Sequence, residues 1–342
     1  MFELKLMLQK IWNKRQLRKN QERVSSQVKD NNPTTILFTG LLKLFLLTLF
    51  GVIILFPFIL MISISLMNDI QVKEHFTLIP DFGEGLTYVS KGKEDSGFEL
   101  HAWKDVVANT YKKAASTGYW SALALTSLNV VISVTLKIFI TFFMGYAFSL
   151  RNWRGKNIIW FLALALLVLP EVALLSGQYK VILDSKLTLT YFGFLLGVAF
   201  PFSASIINTL MYKNAFEAIP GRIKEVSLID GAGGVKYLFK VAFPMVVPTT
   251  LTIVILTSLA SWNAYLWPNI ISTIGDQKFE VLSVWLFKAG VDPNDPESGA
   301  NVQQNVKLAA ALIAILPMFG VYLLFRKRIM AAISRQGSTI KG

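Results

Sequence analysis

Cysteine is absent from this chain of 342 residues, which excludes disulfides, a thiolate metal site and a cysteine nucleophile, and leaves the redox compartment undetermined. Histidine occurs twice, at His75 and His101, with no His-Glu-x-x-His pattern around either, so the sequence offers no histidine-built metal site. Charge is also scarce. Only 16% of residues are charged and 53% are hydrophobic, a balance that excludes an ordinary soluble enzyme. No Gly-x4-Gly-Lys-(Ser/Thr) phosphate loop occurs, so this polypeptide does not hydrolyse ATP by that route. The apolar stretches carry no Ser/His/Asp or paired-carboxylate constellation, which leaves an intramembrane enzyme without support.

What the chain has instead is long apolar blocks, at about 36–67, 119–150, 158–181, 189–212, 245–267 and 306–325. Blocks near the roughly 20 residues needed to cross the hydrocarbon core predict an all-α integral membrane protein with six transmembrane helices. The first 34 residues lack the short basic start, brief apolar stretch and small-residue cleavage site of a secretory signal, so the first span is read as uncleaved. The chain then divides into a basic tail (1–34), a first transmembrane helix (35–67), a large loop (68–118), a five-helix core (119–325) that contains an inner loop at 213–244, and a C-terminal tail (326–342).

Orientation follows from the basic residues. Segments 1–34, 151–157, 213–240 and 326–342 hold 21 Lys and Arg, against 11 in the opposite loops, whereas Asp and Glu number 6 and 13 on the same two sides. Basic residues accumulate on the cytoplasmic side, so both termini are expected there, in a bacterial plasma membrane. The net charge of +13 then reflects topology and contact with anionic lipid rather than nucleic-acid binding.

The loop from Lys213 to Lys240 is too polar for lipid, yet Ile223, Val226 and Ile229 recur every three residues. Val235, Leu238, Phe239 and Ala242 follow a helical i, i+3, i+4, i+7 pattern. Pro220 suits the start of one helix and Asp230-Gly231 supplies turn chemistry, so a cytoplasmic helix-turn-helix is predicted. Its net charge of only +2 and its tethering at both ends argue against DNA. Docking into another protein is favoured over resting on the lipid surface.

This element resembles a known family. Glu225-Val226-Ser227, Gly231 and Val241-Ala242-Phe243-Pro244 follow the spacing of the EAA motif of ABC importer permeases, with Glu, Gly and Pro in register. Gly145-Tyr146-Ala147-Phe148-Ser149-Leu150-Arg151 is similar to the end of that family's second span. Ser261-Trp262-Asn263-Ala264-Tyr265-Leu266-Trp267-Pro268 resembles a segment of the carbohydrate branch, the smaller permease of maltose-transporter type. The likeness covers about residues 110–342. Val226, Ser227 and Phe243 depart from the family's Ala, Ala and Leu, giving a bulkier docking helix.

The resemblance implies a permease subunit forming half of a path for a sugar or oligosaccharide. Its partners would be a second permease, two ATP-binding cassette subunits that hold ATP and Mg, and an extracytoplasmic substrate-binding protein. No cofactor is expected on this chain. Glu225, Val226, Ser227, Asp230, Gly231 and Pro244 would couple ATPase closure to the spans, since a distant event biases a conformational equilibrium only through differential contacts.

For the substrate path, Trp262, Asn263, Tyr265 and Trp267 combine rings and an amide suited to sugar faces and hydroxyls; the alternative is an interfacial aromatic belt. Lys137, in the second span, and Glu171, in the third, are charges within the bilayer region. Such groups usually face a bundle interior and either line a path or pair with one another. Lys43 near the inner end of the first span is read as snorkelling. Two alternatives stay open: an ABC permease for another solute, such as a glycerol phosphodiester or an oligopeptide, and an ATPase-independent secondary transporter or channel. The halves show no evident repeat to favour the latter.

Overall fold

The structure, a computed structural model, describes residues 10, 12–13, 33–74, 77–90, 96–116, 118–150, 153–274, 279–291 and 303–338. Most of the predicted basic tail, and His75, lie outside the described residues. The chain forms two compact units, residues 1–59 and 60–342. Helix α1 (Pro33–Ser65) begins in the first, with proline at its opening position, where a missing N–H costs the helix nothing. Its Leu37–Ser65 stretch is long and apolar enough to cross a membrane.

The second unit opens with the loop predicted at 68–118, which is structured. It contains α2 (Asp69–Glu74), an antiparallel hairpin of β1 (Glu84–Ser90) and β2 (Ser96–Ala102), and α3 (Trp103–Ser116). Glu84 pairs with Ala102, Ser90 with Ser96, and His101 with Gly85. The Trp103 indole donates to the Leu66 carbonyl at 3.1 Å, and the Ser65 and Tyr111 hydroxyls lie 3.0 Å apart. Val106, Thr110 and Ala114, four residues apart, form the buried stripe of α3.

Helix α4 (Tyr119–Ser149) is a continuous candidate span. The predicted third and fourth spans are not straight. The third is α5 (Lys156–Ala165), extended by a 3-10 turn to Val168, followed by α6 (Glu171–Ser185) after a bend of 103°. Leu169 is extended ahead of Pro170, as the residue before proline prefers, and Pro170 cannot donate the hydrogen bond that would continue the helix. The fourth is α7 (Tyr191–Ala199) with a 3-10 turn to Phe202, then α8 (Ile206–Glu217) at 63°. Here extended Ser205 starts the new helix, its hydroxyl accepting from the Asn208 N–H at 3.3 Å.

After α9 (Gly221–Ile229), α10 (Gly234–Tyr237) passes through a π-helical turn (Leu238–Ala242) into α11 (Phe243–Asn263). These three pieces form one unbroken candidate span, Gly234–Asn263. The predicted second short helix is therefore the foot of the fifth span rather than a separate element, and Pro244 sits within the run. The wider π turn accommodates a proline that offers no N–H to the preceding turn. Short helices α12 (Leu266–Ser272) and α13 (Leu282–Lys288) precede α14 (Gln304–Ser338), which extends past residue 325 through most of the predicted tail. Among the described residues, four helices are long and apolar enough to span, or six spans if each bent pair counts as one. The fold is an all-α membrane architecture with one small hairpin.

Three apolar clusters hold the second unit. Tyr119 and Trp285 pack with Ala309 and Ala310 of α14; Leu125, Phe194, Val198, Trp267 and Ile271 form a central group; Phe142, Tyr212, Phe216 and Val246 form a third. In the third, Gly145 lets α4 and α8 approach. A β-carbon there would lie 2.4 Å from Tyr212 Cβ and 3.1 Å from the Thr209 carbonyl oxygen. The Tyr212 hydroxyl in turn lies 3.0 Å from Thr250 Oγ1 on α11.

Candidate functional site

A cavity of about 400 Å³ opens between α4, α6, the turn after α7, α11 and α12. Its polar lining comes from Asn129, Ser133 and Lys137 on α4 and from Ser261 on α11, and its aromatic lining from Phe202, Tyr265 and Trp267. Residues 129, 133 and 137 recur every four positions and so share one helical face. That face is continued by Thr126, whose hydroxyl oxygen accepts the Leu282 N–H at 2.7 Å, and by Thr141, whose hydroxyl donates to the Lys137 carbonyl at 2.6 Å. The volume falls within the roughly 300–1,000 Å³ range of small-molecule sites.

Of the path residues expected from sequence, the structure brings Lys137, Tyr265 and Trp267 to this cavity. Trp262 instead packs beside the Tyr119–Trp285 cluster. Asn263 turns its amide back on its own helix, donating to the Leu259 carbonyl at 2.9 Å. Trp267 lines the cavity, but its indole N–H is committed to the buried Gly197 carbonyl at 3.0 Å, a bond that ties α12 to α7. Glu171 opens α6 next to the lining residue Val172, and its side chain is outside the described residues. Sequence reasoning missed Asn129, Ser133 and Ser261. The signal was present as polar positions at 126, 129, 133 and 137 sharing one face of the span.

The second feature is α9 and its turn. Pro220 precedes the helix, and Asp230 closes it. Gly231 then takes φ +68, the left-handed conformation that glycine adopts without a side-chain penalty. The Ala232 N–H reaches the Ser227 carbonyl at 2.7 Å and the Gly231 N–H reaches Leu228 at 3.1 Å, a Schellman pair that satisfies the helix end. The Lys236 ammonium adds a bond to the Gly231 carbonyl at 3.3 Å. Ser227 is the buried residue of α9, its hydroxyl bonded to the Lys224 carbonyl. Val226 and Ile229, 56% and 84% exposed, face outward, and Glu225 is exposed beside them. The apolar face of this helix is thus turned away from its own chain.

Residues 137–336, more than half of the chain, match the family described as binding-protein-dependent transport system inner membrane component. The chain belongs to that family. A probable ABC transporter permease protein of Mycoplasma pneumoniae is 37% identical over 97% of this chain and 98% of its own length. An sn-glycerol-3-phosphate transport system permease protein of Yersinia pestis is 26% identical over 66% of this permease and 75% of that protein. A probable starch degradation products transport system permease protein of Thermoanaerobacterium thermosulfurigenes is 24% identical over 67% of this permease and 80% of that protein. Among solved structures, one of a bacterial ABC transporter involved in import of the acidic polysaccharide alginate superimposes with a TM-score of 0.66 at 23% identity, covering 88% of this chain and 99% of that one. The permease fold, and with it a membrane-spanning transport subunit, is established.

Proposed function

We propose that this permease forms half of the path of an ATP-driven, binding-protein-dependent importer for a sugar or oligosaccharide. The 400 Å³ cavity would be its contribution to that path. A second permease would supply the other half, two ATPase subunits would bind ATP and Mg, and an extracytoplasmic binding protein would deliver solute. Both termini face the cytoplasm in this reading, which the excess of basic residues in 1–34, 151–157, 213–240 and 326–342 supports.

The observation that carries the proposal is the outward apolar face of α9. Val226 and Ile229 are solvent-facing on a rigidly capped helix joined by one glycine turn to the span that lines the cavity with Ser261. An ATPase subunit seated on this face, with Glu225 at its edge, would move α9 as it closes on ATP. The unbroken run from Gly234 to Asn263 would pass that movement to the cavity wall. Pro244, which offers no N–H to the preceding turn, lies in the run just after the π turn.

The relative named for starch degradation products supports a sugar, as do the aromatic and hydroxyl groups of the lining. The relative named for sn-glycerol 3-phosphate favours a second reading, a phosphorylated polyol. Pulling down the full chain from its native membrane, with protein identification and ATPase assay across sugars and sn-glycerol 3-phosphate, tests the proposal. Co-elution of an ATPase and a second permease, with solute-stimulated hydrolysis, is expected. A chain that elutes alone and still catalyses flux in liposomes would overturn it.

A further inference from the structure

We infer that Asn129, assisted by Ser133, is the solute-selecting group of this permease, and that it reads a pair of neighbouring hydroxyls on a polyol. The inference rests on the importer reading above and assigns selection to a residue of α4 rather than to the aromatic segment at 262–267.

Asn129 lies in the buried polar stripe of α4, only 1% exposed, and lines the cavity. The stripe's threonines have close hydrogen bonds: Thr126 accepts the Leu282 N–H at 2.7 Å, and Thr141 bonds back to its own helix at 2.6 Å. Asn129 differs. Among the described residues its amide has one hydrogen bond, a long one of 3.5 Å in which the Ser133 hydroxyl donates to Oδ1. A carboxamide offers two N–H donors and a two-lone-pair acceptor, so most of its capacity is left open at a residue that lines the cavity. A buried amide is costly to leave unsatisfied, and a membrane span has no reason to hold one there for packing alone.

The chemistry of the group indicates what satisfies it. Adjacent N–H and C=O groups of an amide match two adjacent hydroxyls, one accepting and one donating, which is the repeated unit of a sugar or polyol. Ser133, one turn along, can serve the second hydroxyl once its weak bond to Asn129 gives way. Ser261 and Tyr265 line the cavity from α11 and the segment that follows it, offering further hydroxyls and an aromatic surface for ring C–H groups. A site built to bond a hydroxyl rejects an analogue lacking it, because its own polar groups are then left unpaired.

The test uses the complete complex in proteoliposomes with its binding protein. Maltose, trehalose and sn-glycerol 3-phosphate are screened for uptake, followed by monodeoxy analogues of whichever is carried, each at a concentration that saturates the binding protein. The wild type should prefer the parent solute over at least one deoxy analogue by about tenfold. Asn129→Leu should abolish that preference by lowering parent uptake about tenfold more than it lowers uptake of the deoxy analogue, with the ATPase still co-purifying. Should the leucine variant fail to assemble, Asn129→Thr and Ser133→Ala carry the test by the same criterion. A variant that assembles and keeps the wild-type preference overturns the inference alone. A wild-type complex that assembles and hydrolyses ATP but carries none of these polyols overturns it together with the proposed solute class.

Discussion

The Asn305 amide donates to the Asp69 carboxylate at 2.5 Å, joining residues 236 positions apart, and both are buried, at 1% and 5% exposure. The same amide reaches the Met67 carbonyl at 3.3 Å. The start of the last helix is thereby fastened to the segment that follows the first, through a polar contact within a low-dielectric interior. Replacing Asn305 with leucine leaves a buried carboxylate short of one donor and is expected to cost about 1–3 kcal/mol. Thermal unfolding of the detergent-solubilised protein should show a lower midpoint for Asn305→Leu than for the wild type.

Gly231 is fixed by its backbone, not by crowding, since a β-carbon there would meet nothing within 4 Å while φ is +68. Gly231→Asn should therefore be tolerated, whereas Gly231→Val should strain the turn by roughly 1–2 kcal/mol or unwind the end of α9. Co-purified ATPase activity is the readout, with retention in the asparagine variant and loss in the valine variant expected.

Val226 and Ile229 are exposed, so charging them has little effect on the chain's own fold. The double variant Val226→Asp, Ile229→Asp is expected to insert and fold normally yet lose its ATPase partner, because a desolvated aspartate at a docking face is unpaired. Equal recovery of ATPase with wild type and variant would remove α9 as the docking element.

Gly145 is limited by space rather than by conformation. A valine there must displace Tyr212 and the backbone of α8, since the nearest atoms already sit 2.4 and 3.1 Å from a β-carbon. Overpacking of this kind costs about 1–3 kcal/mol, and expression yield and thermal midpoint of Gly145→Val should both fall. Gly145→Ala should show the same direction with a smaller effect.

Lys137 lines the cavity, so Lys137→Met, which keeps length and removes charge, is expected to reduce uptake at least tenfold with normal assembly and ATP hydrolysis. Uptake at the wild-type rate would exclude Lys137 from the path.

The apolar blocks, the turn at Asp230-Gly231 and the motif that runs from Glu225 to Pro244 were all legible in the sequence, because hydropathy over some 20 residues and the conformational needs of a turn are local properties. Membership of the family followed from the same short-range spacing. Tertiary structure decided the rest. Pro170 and Ser205 mark where the third and fourth spans break, but the angle between the halves depends on what each half packs against. The period of Ile223, Val226 and Ile229 announced a helix without saying whether its apolar face turns inward, and Val226 and Ile229 turn out. Trp262, Asn263 and Tyr265 lie within four residues of one another, yet only Tyr265 reaches the cavity, while Asn129 meets Ser261 there from 132 positions away. A cavity is the space left where helices distant in sequence fail to fill each other's grooves, so no local pattern can specify which side chains line it.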